Sequence, residues 1–127
     1  MTDLSPKARW TGWTLGLLPC LLLAFSAFMK FAQPPGFAEG MSHMGLPVHL
    51  ARPLGVLEAA CVLIYLLPRT AVLGAILLTG YMGGAILCHL RVGDPWFIQV
   101  LVGVLLWGGL YLRDPRVRAL IPLRSEA

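Results

Sequence analysis

VHLARPLGVLEAACVLIYLLPRTAVLGAILLTGYMGGAILCHL, Val48 to Leu90, is two apolar runs of about twenty residues each joined by Pro68 and Arg69 alone. A run of that length is what an α-helix needs to cross the hydrocarbon core of a bilayer. A proline-centred joint this short forces the second run back alongside the first. The pair therefore reads as a tight antiparallel transmembrane hairpin, and the rest of the chain is read outward from it.

Upstream, an apolar stretch from about Trp10 to Met29 forms a further span, closed by Lys30. Gly12 and Gly16 stand at G-x-x-x-G spacing in it, which lets a neighbouring helix approach closely. Lys7 and Arg9 ahead of an apolar run, with Ala24-Phe25-Ser26 behind it, look like a secretion signal. The run is too long for one, however, and the later helices need it as a partner. Between this span and the hairpin lies residues 30–47, rich in breakers and polar groups (Gln33, Pro34, Pro35, Gly36, Glu39, Gly40, Ser42, His43) and closing on Gly45-Leu46-Pro47. It is predicted as one long extracytoplasmic loop. Downstream, Arg91 to Pro95 make a short turn into a last span, Trp96 to Leu112, followed by a basic tail.

The predicted architecture is all-α: a single integral membrane domain over residues 1–127, a four-helix bundle with spans at 10–29, 48–67, 70–90 and 96–112. Composition agrees, since 57% of the residues are hydrophobic against 13% charged, with a mean hydropathy of +0.76, a balance foreign to a water-soluble domain of this size. Lys7, Arg9, Arg69, Arg113, Arg116, Arg118 and Arg124 fall on one side, against Lys30, Arg52 and Arg91 on the other. The positive-inside rule then puts both termini in the cytoplasm. The same rule accounts for the net charge of +4; the basic residues form no aromatic-interleaved stripe, so nucleic acid is not an expected partner.

Inside the spans the residue that stands out is Glu58, because an ionised carboxylate at membrane depth costs roughly 2.5–3.5 kcal/mol even on a lenient insertion scale. Counting from the Pro68-Arg69 turn puts it about 15 Å from the boundary, level with Gly80 to Met82, so Tyr81 is its natural hydroxyl neighbour. Helical side chains lean toward their own N-terminus. Glu58 on one span and Lys30 and His89 on the antiparallel ones therefore converge in the outer half of the bundle. A polar pocket lined by Lys30, Glu58, Tyr81 and His89 is expected, with Arg52, Arg91 and Gln99 near its mouth and the long loop as a lid. The blander reading has the basic residues snorkelling at an interface and Glu58 acting as a hydrogen bond between helices.

Other chemistries find no footing. Cys20, Cys61 and Cys88 lie in separate spans without ligand spacing and read as packing residues. His43, His49 and His89 share no i, i+4 pair, so neither metal nor haem is expected. Trp10, Trp13, Trp96 and Trp107 suit interfaces and packing better than a cofactor cage. Phosphate-cradling glycine loops, nucleophile elbows and zinc-protease helices are missing, so an autonomous soluble-type enzyme is not expected.

A series of short patches carries a resemblance. Met29-Lys30-Phe31 ends the first span, Gly45-Leu46-Pro47 precedes the second, Gly55-Val56-Leu57-Glu58 lies within it, and Leu67-Pro68-Arg69 makes the hairpin. Met82-Gly83-Gly84-Ala85, His89-Leu90, Gly93-Asp94-Pro95 and Tyr111-Leu112-Arg113 follow in order. From Lys30 onward the chain resembles the DoxX-like family of small bacterial four-helix membrane proteins. It departs from the family at Ala59-Ala60-Cys61, where glycines are common. The resemblance implies a multi-pass protein of the bacterial cytoplasmic (inner) membrane. The family takes its name from a subunit of a thiosulfate:quinone oxidoreductase, so it also implies, at fold level only, a quinone-interacting subunit fed by a redox partner protein. On that reading Glu58 and His89 relay protons, Lys30 or Tyr81 hydrogen-bonds a quinone carbonyl, and the site is open to lipid. Two other classes remain: a small proton- or cation-coupled transporter, which at this length calls for a homodimer, and a structural or assembly subunit without catalysis.

Overall fold

A computed structural model describes residues 4–125. Its described residues form helices α1 (Pro6–Ala32), α2 (Phe37–His43), α3 (Ala51–Leu66), α4 (Ala71–Arg91), α5 (Phe97–Arg113) and α6 (Pro115–Leu120), with short 3₁₀ turns at Val48–Leu50 and Pro68–Thr70. Three stretches, Pro6–Ala32, Val48–Leu66 and Pro68–Arg91, are long and apolar enough to cross a membrane. The apolar α5 has 17 residues, about 25 Å of helix, somewhat short of the hydrocarbon thickness.

Local chemistry explains the boundaries. Ser5 caps α1, its hydroxyl accepting from the Ala8 amide at 3.1 Å, and Pro6 occupies the first turn, where its missing N–H costs nothing. The helix thus starts before Trp10, and it runs past Lys30 to Ala32, where Gln33 in the left-handed region takes the Met29 carbonyl. Between α3 and α4, Leu67 is extended, as a residue before proline prefers, and the hairpin folds as the sequence indicates.

The four long helices close a ring, α1 against α3 and α5, and α4 against α3 and α5, each antiparallel to its neighbours. The described ends of the chain gather at one end of the bundle, and α2 with the α4–α5 turn caps the other. Buried Leu23, Val62, Tyr65, Leu78, Val102, Leu106 and Leu110 fill the centre. Leu21, Phe25, Leu63, Ile76 and Leu101 point outward and exposed; this apolar exterior is the surface of a membrane protein in contact with lipid.

Glycines set the closest approaches. A Cβ at Gly12 would meet the Gly109 carbonyl at 2.7 Å, and one at Gly109 the Gly16 amide at 2.8 Å, so the G-x-x-x-G step of α1 does pack a helix, α5. Across the hairpin, Gly74 lies against the backbone of Tyr65. The second G-x-x-x-G step behaves otherwise. Gly80 and Gly84 stand at the same spacing in α4, which by itself predicts a packed neighbour, yet they have open space around them, as does Gly83. Gly74→Ala is accordingly expected to lower stability by about 1–3 kcal/mol, whereas Gly83→Ala is expected to be neutral or slightly stabilising through helix propensity. Thermal unfolding of the detergent-solubilised variants checks the contrast.

Candidate functional site

The site begins with another glycine. A Cβ at Gly55 would stand 3.2 Å from both the Lys30 Cβ and the Phe31 ring, so its absence brings the end of α1 down onto α3. One turn further along α3 is Glu58, 1% exposed, the one buried charged residue of the described chain. Lys30 Nζ donates to Glu58 Oε1 at 3.1 Å and to Ser26 Oγ at 2.7 Å. The Lys30 side chain is 15% exposed against 2% for Glu58, so the carboxylate is held in the interior and the ammonium lies between it and open space.

That space is a cavity of about 570 Å³, walled by Lys30, Tyr81 and His89 together with Phe37, Met41, Leu54, Gly80, Gly84 and Cys88. Glu58 is not part of the wall; it stands behind Lys30, with the Tyr81 hydroxyl within interaction range of its carboxylate. His89 turns away from Glu58. Its Nδ1 reaches the Ala85 carbonyl one turn back at 2.7 Å, and its Nε2 reaches Gln99 Nε2 at 3.2 Å. With Nδ1–H donating to the carbonyl, Nε2 of the neutral ring has a lone pair that can accept from the Gln99 amide. Gln99 Oε1 is then buried without a hydrogen-bond partner.

The structure therefore gathers Lys30, Glu58, Tyr81, His89 and Gln99 in one half of the bundle, as the linked pairs Lys30–Glu58 and His89–Gln99 together with Tyr81, and Lys30, Tyr81 and His89 line the cavity. A direct Glu58–His89 bond is not formed. Arg91 is exposed and its guanidinium lies beside Gly45, while Arg52 is exposed in the first turn of α3.

The segment read as a loop supplies the lid, and it is helical. Phe37, Met41 and Met44 of the α2 segment stand at i, i+4 and i+7 and face the cavity, an apolar stripe hidden among Gly, Glu, Ser and His. His43 Nε2 and Asp94 Oδ2, 2.9 Å apart, tie α2 to the α4–α5 turn. Asp94→Asn is expected to raise amide exchange in residues 37–44 several-fold by removing a charge-assisted bond; mass-detected hydrogen exchange reads it directly. Ser26, which steadies Lys30, was also visible in principle as its i, i+4 neighbour.

At the opposite end, the sequence presents Arg113 as one charge of the basic tail that sets topology. Its guanidinium carbon instead sits 3.9 Å over the Trp13 ring and 5.0 Å from the centre of the Tyr65 ring. Sequence spacing gives no sign of this, because Arg113 leans back into the bundle from the last turn of α5.

A family model described as the DoxX-like family matches residues 14–110. Nothing among the curated proteins or the solved structures matches the chain. The matched stretch runs from within α1 into the last turn of α5 and takes in the Lys30–Glu58 pair, the lid and the cavity, and this chain accordingly belongs to the DoxX-like family of membrane proteins.

Proposed function

We propose that this chain is a four-span subunit of a bacterial inner membrane, termini in the cytoplasm, that binds a quinone-type ligand in the cavity beside Lys30 and holds it for reduction by a partner redox protein, which brings the electrons. The observation that carries the reading is the state of Lys30. An ammonium has three N–H donors; two are held by Ser26 and Glu58, and the third is left for the cavity that Lys30 lines. A quinone headgroup is a flat apolar ring with two carbonyl acceptors. Gly80 and Gly84 leave room for the ring, Phe37, Met41 and Leu54 offer apolar contact, and Lys30 and Tyr81 offer donors.

Reduction of a quinone to its hydroquinone takes up two protons with two electrons. On this reading the protons come from the aqueous phase through two relays: Lys30, which touches both the carboxylate and the cavity, gives one to the quinone oxygen and is reprotonated by way of Glu58, and His89 takes one up at Nε2, in place of the Gln99 contact, and passes it on. Arg52 and Arg91 stay at the mouth and contribute field rather than contact. The transporter reading places a free carboxylate at mid-depth; here Glu58 is already taken by Lys30.

The test is extraction of the protein in mild detergent from its native membrane, with mass spectrometry of the retained lipids. Wild type is expected to retain a quinone, with Lys30→Met and Tyr81→Phe retaining at least about tenfold less between them, as for the loss of charge-assisted or buried hydrogen bonds. A folded wild type that carries none, alongside proteoliposome uptake abolished by Glu58→Gln, would replace this reading by transport.

A further inference from the structure

The end of the bundle opposite the Lys30 cavity holds a second one, of about 550 Å³, bounded by Arg9, Trp13, Pro68, Arg113, Asp114 and Arg116. Among the described residues three guanidinium groups border it against a single carboxylate, and that carboxylate is engaged. Asp114 caps α6, accepting from the Arg116 amide at 2.9 Å and from Arg116 Nε at 3.4 Å. Arg118, nearby, is spent on the Tyr111 and Leu112 carbonyls. Arg113 is different. Its Nε and Nη2 are buried with no hydrogen-bond partner among the described residues, and no carboxylate of those residues pairs with it.

A buried donor left unsatisfied costs free energy, and the faces of Trp13 and Tyr65 offset the charge of Arg113 only in part. What completes such a site is an oxyanion that meets a guanidinium at its planar edge. The cavity is half apolar, with Leu4, Trp13 and Leu110 beside the arginines, and it lies at the helix ends, the level of lipid headgroups for a chain that spans the bilayer. We infer that this cavity binds a phosphate group, that of an anionic phospholipid, with Arg113 as the principal ligand and Arg9 as the second. The inference rests on the membrane-spanning arrangement and is independent of what the Lys30 cavity binds.

Native mass spectrometry of the full chain in detergent tests it, with phosphatidylglycerol, phosphatidylcholine and inorganic phosphate as probes. Phosphatidylglycerol is expected to bind in preference to phosphatidylcholine, with Arg113→Gln weakening it about tenfold or more, Arg113→Lys less, and Arg9→Gln less again. Competition by inorganic phosphate confirms that the phosphate is the group recognised, and binding of inorganic phosphate without the lipid supports the same site with a soluble source. Equal binding of the two lipids with no binding of phosphate overturns the proposal, as does a folded Arg113→Gln with wild-type affinity. Should Arg113→Gln fail to fold, unchanged affinity in both Arg113→Lys and Arg9→Gln overturns it. Asp3→Asn is the remaining control: a tenfold gain in affinity would identify a carboxylate of the chain as the natural partner of Arg113, and the proposal falls.

Discussion

Lys30→Met is expected to destabilise the detergent-solubilised protein by about 3–5 kcal/mol, the cost of leaving a buried charge without its partner. Glu58 is 1% exposed and its hydrogen bond comes from Lys30, so nothing of opposite charge in the described chain replaces the ammonium. Glu58→Leu is expected to cost less, because Lys30 is 15% exposed and keeps Ser26; its long stem lets the ammonium turn toward the cavity. The double variant Lys30→Met, Glu58→Leu is expected to recover most of the loss, since a pair replaced together by apolar side chains of similar size is close to neutral. Thermal unfolding of the four proteins closes a double-mutant cycle. Additive losses would mean that the two side chains do not depend on each other, and the pair would lose its place at the centre of the site.

Gly84→Leu is expected to abolish ligand retention, by about a hundredfold or more, while leaving the stability within about 1 kcal/mol of wild type. The first part follows because Gly84 is a wall of the cavity and a leucine side chain occupies the volume a ring would use. The second follows because a Cβ at Gly84 meets nothing within 4 Å, and surface substitutions away from packed contacts move stability little. The measurement is the retained-lipid assay run beside a thermal melt. Undiminished retention with leucine at this position would show that the ligand does not use the cavity. A variant that unfolds would mean that Gly84 packs against something the isolated chain does not contain, a second copy being the first to test by light scattering.

The contrast between the glycines shows what was legible in the sequence. Gly12–Gly16 and Gly80–Gly84 have the same spacing, yet the first pair admits α5 and the second faces open space. Spacing reports that a helix has a smooth face; it does not report whether a neighbour comes. The glycine that packs α4 onto α3 is Gly74, opposite Tyr65, and it was fixed by the hairpin rather than by a motif. The convergence of Lys30 with Glu58 was readable because it rests on two robust regularities, the antiparallel hairpin and the lean of helical side chains. His89 obeyed the same lean but found its own turn's carbonyl at 2.7 Å, a local competitor that a count of helical rise does not reveal. The lid is legible in the sequence but its helix is not, for a compositional reason: prolines and glycines at residues 34–36 mark a break, and the short apolar stripe behind them reads as part of it. Arg113 escaped notice because one arginine in a basic tail looks like any other until its ring neighbours are known.

The open face of α4 also bears on how a ligand arrives. With Gly80, Gly83 and Gly84 uncovered and α2 clasped to the α4–α5 turn through His43 and Asp94, the approach expected for the ligand proposed above is sideways, from among the acyl chains, rather than down from the aqueous phase. Occupancy is then governed by how much of a compound dissolves in the bilayer. Two ligands with the same headgroup and different tails would rank by partition coefficient, and a water-soluble analogue that fits the cavity equally well would compete poorly at the same bulk concentration.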